Sequence, residues 1–239
     1  MIISIIIKII TYIFIFIVFI LPIFSVFAFG IFYSNLYLGK EKVRMQSLAN
    51  ALNLQFVESE SPVLKKISDF NFLPQLKSKL VNFISSFVPW KIVGDLDGFS
   101  INIYKETRGS GKNSQTYTII KLNPQEPLSF VLNIEKQGLL MGFAIKVFQM
   151  EDITIGDEKF DKSFIIKGNN PSLIKEYLLN RTIQNAINEL MSFNDFQISH
   201  NEIHFEASGL IPDNEKYQQL IQKMSNAAKV LYQGFHSQF

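Results

Sequence analysis

The sequence predicts a transmembrane helix followed by an α+β domain, in which helices pack on one face of an antiparallel sheet. Two observations support this fold class. Residues 9–39 carry no charge and are mainly Ile, Phe, Val and Leu. The later chain combines short segments of period-two alternation with longer segments of helical periodicity. We therefore expect an anchor in residues 1–39, a helical stalk in residues 40–89 and a soluble domain in residues 90–239.

The anchor prediction follows from the length of the uncharged stretch. About 20 apolar residues suffice for a helix to cross the hydrocarbon core, and Ile9 to Phe32 provide them. Lys8 can reach the headgroups from the helix end, and Pro22 predicts a kink near the middle of the span. The alternative is a signal peptide cleaved after Ala28. The apolar region of a signal peptide has only about 7–15 residues, so the length favours a retained anchor.

The flanking charges predict the orientation of this anchor. Lys40, Lys42 and Arg44 follow the uncharged stretch, whereas Lys8 and the α-amine precede it. Cytoplasmic flanks are enriched in Lys and Arg, so we expect a single-pass protein of the inner membrane with its soluble domain in the cytoplasm. The absence of cysteine agrees with a reducing compartment.

Helical periodicity recurs after the anchor. One apolar face continues the membrane helix, and three further segments each contain Pro near the start, which suits the first turn of a helix. The predicted helices are residues 45–54, 74–87, 170–190 and 212–231.

Period-two alternation marks the strands between these helices. Segments beginning at Phe99, Thr116 and Leu128 predict an antiparallel meander, and the residues around the Gly156-Asp157 turn predict two further short strands. A hairpin is expected with its turn at His200-Asn201. Residues 138–148 fit either a short helix or a strand.

Composition and motifs exclude several classes of function. The chain has 23 Lys and Arg against 21 Asp and Glu, a formal charge of +2, which provides no strong field for nucleic acid. Gly109 to Ser114 is similar to a phosphate-binding loop. Glu106 occupies the first glycine position and Asn113 the hydroxyl position of that motif, so we interpret the segment as a hairpin tip and expect no cofactor.

Four residues are candidates for a functional site. Asp157 and Asp161 belong to an acidic cluster that could perform acid–base chemistry if it were buried, and His200 and His204 could bind a metal ion if they shared a face. The carboxylates alternate with lysines, as in a solvated loop, and the histidines diverge across the predicted hairpin. The sequence therefore predicts no catalytic, cofactor-binding or metal-binding residue.

Two segments are similar to a known group of proteins. Residues 109–117, GSGKNSQTY, and residues 152–168, DITIGDEKFDKSFIIKG, resemble segments of uncharacterised bacterial membrane-anchored proteins with a domain of unknown function. The resemblance covers about residues 90–239 and implies an N-terminal membrane helix, one α+β domain and a bacterial origin. It implies no catalytic residue.

Three functions remain open at this point. The leading hypothesis is a non-catalytic domain that binds a partner protein or the membrane surface. The second is a membrane-tethered hydrolase that uses the acidic residues or the histidines, and it requires those side chains to converge in one pocket. The third is a lipid- or apolar-ligand-binding domain, which requires a cavity lined by Phe and Ile.

Overall fold

The computed structural model describes residues 14, 16–59, 88–110, 113–137, 150–192 and 196–233. The chain forms two compact units, one of residues 1–44 and 60–88 and the other of residues 45–59 and 89–239. The predicted helix 74–87, the ambiguous segment 138–148 and residues 111–112 of the hairpin tip lie outside the described residues.

The first unit contains the start of a long helix. A π-helical turn, Phe16–Ile20, leads into helix α1, Leu21–Ala51. Pro22 lies in the first turn of α1, directly after the π-helical turn, and not in the middle of a continuous α-helix, where the sequence analysis expected it. The Ser25 hydroxyl donates to the Pro22 carbonyl at 3.1 Å.

The membrane-anchor prediction concerns mostly this first unit. Among the described residues, none of the helices combines the length and the apolar character needed to cross a bilayer. The predicted span starts at Ile9, outside those residues, and the anchor therefore stays a prediction.

The second unit contains the end of α1 from Met45 and every strand among the described residues. Its elements follow the order β1 Gln55–Glu58, β2 Trp90–Leu96, β3 Phe99–Arg108, β4 Gln115–Pro124, β5 Leu132–Lys136, α2 Glu158–Ser163, β6 Phe164–Gly168, α3 Pro171–Leu179, α4 Arg181–Met191, β7 Phe196–Ser199, β8 Ile203–Ser208 and α5 Asn214–Ala228, with a π-helical turn at Lys229–Gln233.

The eight strands that the structure describes form one sheet in the order β1-β2-β3-β4-β8-β7-β5-β6. Every neighbouring pair is antiparallel, as predicted. The meander prediction is wrong for its third strand, because the β7–β8 hairpin lies between β4 and β5. Leu128 and Phe130, which were expected in that strand, are buried in the loop before it.

One face of the sheet carries the hydrophobic core. In the central strands Ile103 pairs with Ile120, and Ile120 pairs with Phe205. All three side chains are buried, together with Met45 of α1 and Tyr217 of α5. Burial of each large side chain contributes about 1.5–3 kcal/mol. The helices therefore attach to the sheet through a continuous apolar layer.

Two local predictions need correction. The short strand expected just before the Gly156-Asp157 turn, at residues 153–155, is absent. Helix α2 occupies part of the predicted solvated loop, because Phe160 is buried against Phe164 with ring centroids 4.6 Å apart. The expected helix 170–190 is two helices. Asn180 ends α3, and its side chain accepts a hydrogen bond from the Thr182 amide at 2.9 Å, which caps α4.

Candidate functional site

The face of the sheet opposite the core brings polar side chains together. His204 lies on β8 between Ile203 and Phe205, which point into the core, and strand alternation places its side chain on the opposite face. In the register of the sheet His204 pairs with Lys121 of β4 and with Gln197 of β7. The sequence predicts that His204 follows the turn of a hairpin, and the structure places it on the second strand of that hairpin, β8.

Ion pairs connect the polar residues on this face. The side chains form a set that we call the charged ladder, which consists of Glu106, Arg108, Lys121, Glu202, His204 and Glu206. Arg108 makes a bidentate pair with Glu206, at 2.7 and 2.8 Å. The same guanidinium contacts Glu106 at 3.1 Å and lies 4.9 Å from the centre of the Tyr117 ring. This planar, stacked geometry suits Arg and not Lys.

His204 lies between the two inner carboxylates of the charged ladder. Its Nδ1 atom is 3.4 Å from Glu202 and its Nε2 atom 3.6 Å from Glu206. The Lys121 ammonium is 3.1 and 3.2 Å from the Glu202 oxygens. Both imidazole nitrogens therefore face a carboxylate, and each of these carboxylates also has a cationic partner, Lys121 for Glu202 and Arg108 for Glu206.

The electrostatics of Glu202 follow from this arrangement. Burial raises its pKa, but the hydrogen bonds with His204 and Lys121 outweigh burial and hold the pKa at about 2. Glu202 is therefore ionised at neutral pH and is a weak base. The pKa of Arg108 is raised by its hydrogen bonds with Glu106 and Glu206. These groups hold fixed charges instead of exchanging protons near pH 7.

A buried carboxyl group lies on the same face of the sheet as the charged ladder, two strands beyond His204. Glu135 of β5 pairs with Gln197, whose side-chain amide donates to it at 2.9 Å. Only 3% of Glu135 is exposed, and burial raises its pKa to about 7. Both faces of β5 are therefore buried, since Leu132 and Ile134 lie in the core on the other face.

Asp157 and Asp161, the acidic candidates, hold a turn together. Asp157 caps α2 by accepting from the Phe160 amide at 3.2 Å, and Arg181 contacts its second oxygen at 3.2 Å. Asp161 accepts from the amides of Ile155 and Gly156 at 2.8 and 3.0 Å. Both carboxylates accept hydrogen bonds from backbone amides of the segment before β6, so their role is to stabilise that segment.

His200 occupies the turn between β7 and β8, as expected. Its backbone amide donates to Leu132, and its carbonyl accepts from Leu128, at 2.8 and 2.9 Å. Burial lowers the pKa of the imidazole. Its Nδ1 atom is buried and has no hydrogen-bond partner in the part of the chain that the structure describes.

The structure therefore brings His204 into contact with Glu202. Asp157 and Asp161 belong instead to the turn before β6. No group of three or more acidic or histidine side chains with the geometry of a metal site occurs among the described residues. Sequence reasoning missed Arg108 and Glu206. Polar positions alternating with apolar ones were visible, but the register that pairs them across strands was not.

A small pocket lies apart from this face, between α4 and α5. It has a volume of about 170 Å³ and is lined by both polar and apolar side chains, among them Asn185, Glu189, Lys223, Asn226 and Ala227. Its described lining includes neither Phe nor Ile, so it is not the cavity that the lipid-binding hypothesis requires.

The site thus defines an α+β domain with a charged sheet face. No family model matches the chain, and the search of curated proteins also gave no match. The crystal structure of the mycobacterial trehalose monomycolate transport factor A is similar to it, with 14% sequence identity and a TM-score of 0.42. The similarity covers 81% of this chain and 96% of the other. At this level it assigns no function.

Proposed function

We propose that this chain is a membrane-attached binding protein whose α+β domain holds a partner protein without catalysis. The observation that carries the proposal is the exposed apolar surface before and at the start of α1. Phe14, Phe16, Phe19 and Leu21 are exposed to 62%, 50%, 61% and 52%, within an uncharged stretch. Large contiguous apolar surfaces mark sites of interaction with a membrane or a partner, and the length of the stretch favours a membrane.

The proposal of a function without catalysis is supported by the contacts that the candidate carboxylates already make. Asp157 and Asp161 accept backbone hydrogen bonds, and Glu202 is ionised and paired. A hydrolase needs a base whose pKa lies near the working pH and which can reach a bound substrate. Glu135 has such a pKa, but it is buried and bonded to Gln197.

The charged ladder is the surface that we propose for the partner. Arg108 and Lys121 keep 46% and 31% of their side-chain exposure, and their positions are held by ion pairs. Charges fixed in advance favour specific recognition, because a partner must match their pattern.

Membrane attachment is tested with the full-length chain in isolated membranes. We expect the wild-type chain to resist extraction at alkaline pH and the double variant Phe16→Lys/Phe19→Lys to be released, because each charge within the hydrocarbon costs about 3 kcal/mol. Asn50→Lys, at an exposed helix position, is the matched control and should remain attached. Release of the wild-type chain would refute the proposal.

The proposed cytoplasmic orientation needs a separate experiment. Protease added to intact cells should leave a C-terminal tag uncut, and protease added to broken cells should remove it. Cleavage in intact or outer-membrane-permeabilised cells would place the domain outside the inner membrane and contradict the charge argument.

The partner surface is tested by proximity labelling in cells. We expect Arg108→Glu to lose neighbours that the wild-type chain labels, because this change reverses a charge in the ladder. Glu158→Lys reverses the charge of an 84% exposed carboxylate on α2 and should keep the same neighbours. An identical set of neighbours for all three chains would contradict the assignment of this surface.

A further inference from the structure

The pocket between α4 and α5 has a floor of apolar side chains, two of which are small. Ala186 of α4 and Ala227 of α5 both line it, and Leu190, which also lines it, is only 1% exposed. An alanine side chain ends at Cβ, so these two residues leave space between the helices. The volume of about 170 Å³ suits a small apolar group, because a cavity of about 150 Å³ holds a molecule of the size of benzene.

Two groups of opposite charge belong to the same pocket. Glu189 of α4 and Lys223 of α5 are 4.0 Å apart, with 69% and 39% of their side chains exposed. An ammonium has three donors and a carboxylate about four acceptor positions, so both groups can bind a ligand while they stay close to each other. The Asn226 oxygen accepts from Gln222 at 3.0 Å, and the amino group of Asn226 is then the donor that it offers to an anion.

One wall of the pocket comes from a rare type of helical turn. Val230 lines the pocket and belongs to the π-helical turn Lys229–Gln233. The Tyr177 hydroxyl stabilises this turn by donating to the Leu231 carbonyl at 2.6 Å. Turns of the π type occur frequently at functional sites. The turn therefore supports the pocket as a functional site independently of its charges.

The chemistry of the pocket fits one class of ligand. A free α-amino acid carries an ammonium and a carboxylate on one carbon atom, and these groups complement Glu189 and Lys223. We propose that the pocket binds a free apolar amino acid of the size of leucine. Glu189 holds its ammonium group, Lys223 holds its carboxylate, and its side chain lies against Ala186 and Ala227. This site is separate from the charged ladder and does not depend on membrane attachment.

The test is isothermal titration calorimetry of the full-length chain in detergent, with L-leucine as the probe. We expect saturable binding of leucine. Isocaproic acid, which is leucine without its amino group, should bind about tenfold more weakly, because it makes no charged contact with Glu189. Glycine, which has no side chain to place on the apolar floor, should also bind more weakly. Equal affinity for leucine and isocaproic acid would overturn the proposed recognition of both charges.

Variants of the chain locate the binding site. Lys223→Gln and Glu189→Gln should each weaken leucine binding about tenfold, and Ala186→Leu should abolish it, because the larger side chain fills the pocket. Lys175→Gln removes an exposed charge from α3 and is the matched control, which should bind like the wild type. Fluorescence of the buried Trp90 checks that each variant is folded. No saturable binding to the wild-type chain would overturn the proposal, as would wild-type affinity in both charge variants.

Discussion

Replacing the buried Glu135 with glutamine should stabilise the protein at neutral and alkaline pH. Glu135 is 3% exposed, and burial raises its pKa from the ordinary 4.5 to about 7. The folded state therefore binds a proton more tightly than the unfolded state does. Below pH 4.5 Glu135 is neutral in both states, and its contribution to the free energy of unfolding is fully present. This contribution falls as the pH rises from 4.5 toward 7 and does not fall further above pH 7.

The size of this effect follows from the pKa difference. Each pKa unit corresponds to about 1.4 kcal/mol, so ionisation of Glu135 costs the folded state about 3 kcal/mol above pH 7. Glutamine keeps the size of the side chain and an oxygen that accepts from Gln197, but it does not ionise. Glu135→Gln should equal the wild type near pH 4 and exceed it by about 3 kcal/mol near pH 8.

The assay uses Trp90, the single tryptophan of the chain, which is buried to all but 4%. Its fluorescence reports urea unfolding of the full-length chain in detergent at a series of pH values. Glu151→Gln, at an exposed position, is the matched control and should show no pH-dependent gain. A stability difference between Glu135→Gln and wild type that does not change with pH would refute the reasoning, as would a less stable variant at pH 8.

Three further predictions use the same assay. Gly168→Ala should lose more than about 2 kcal/mol, because the new Cβ would overlap the Val131 carbonyl oxygen; wild-type stability would show that this strand can shift. Asp161→Asn should lose about 1–2 kcal/mol, since one of two backbone amides loses its carboxylate oxygen, and an unchanged midpoint would argue against that turn. Tyr177→Phe removes a buried hydrogen bond of 2.6 Å to the Leu231 carbonyl and should cost about 1–2 kcal/mol; no loss would mean that the carbonyl finds another donor.

Local patterns predicted the elements whose own residues decide their conformation. Asn170 before Pro171 predicted the start of α3, and its side chain does accept from the Leu173 amide. The hairpin turning at His200 also formed as expected. Asn180 shows the limit of such patterns, because the apolar face continues past it. The cap that divides the two helices depends on one side chain turning back to a backbone amide.

The charged ladder shows a second limit. Arg108 and Glu206 are separated by 98 residues, and their bidentate contact requires β8 to lie beside β4. The sequence contains the alternation that places each of them opposite the core, but alternation within one strand says nothing about which strand is its neighbour. The order of the sheet is decided by packing among all the strands and helices together.

The sequence by itself therefore determined the α+β class, the antiparallel pairing and the sides of the strands that face the core. These follow from periodicity and turn chemistry, which act over a few residues. Only the tertiary structure decided the strand order, the assembly of the charged ladder and the burial of Glu135. Each of these depends on contacts between distant parts of the chain, and the free energy of such contacts is not set by any local pattern.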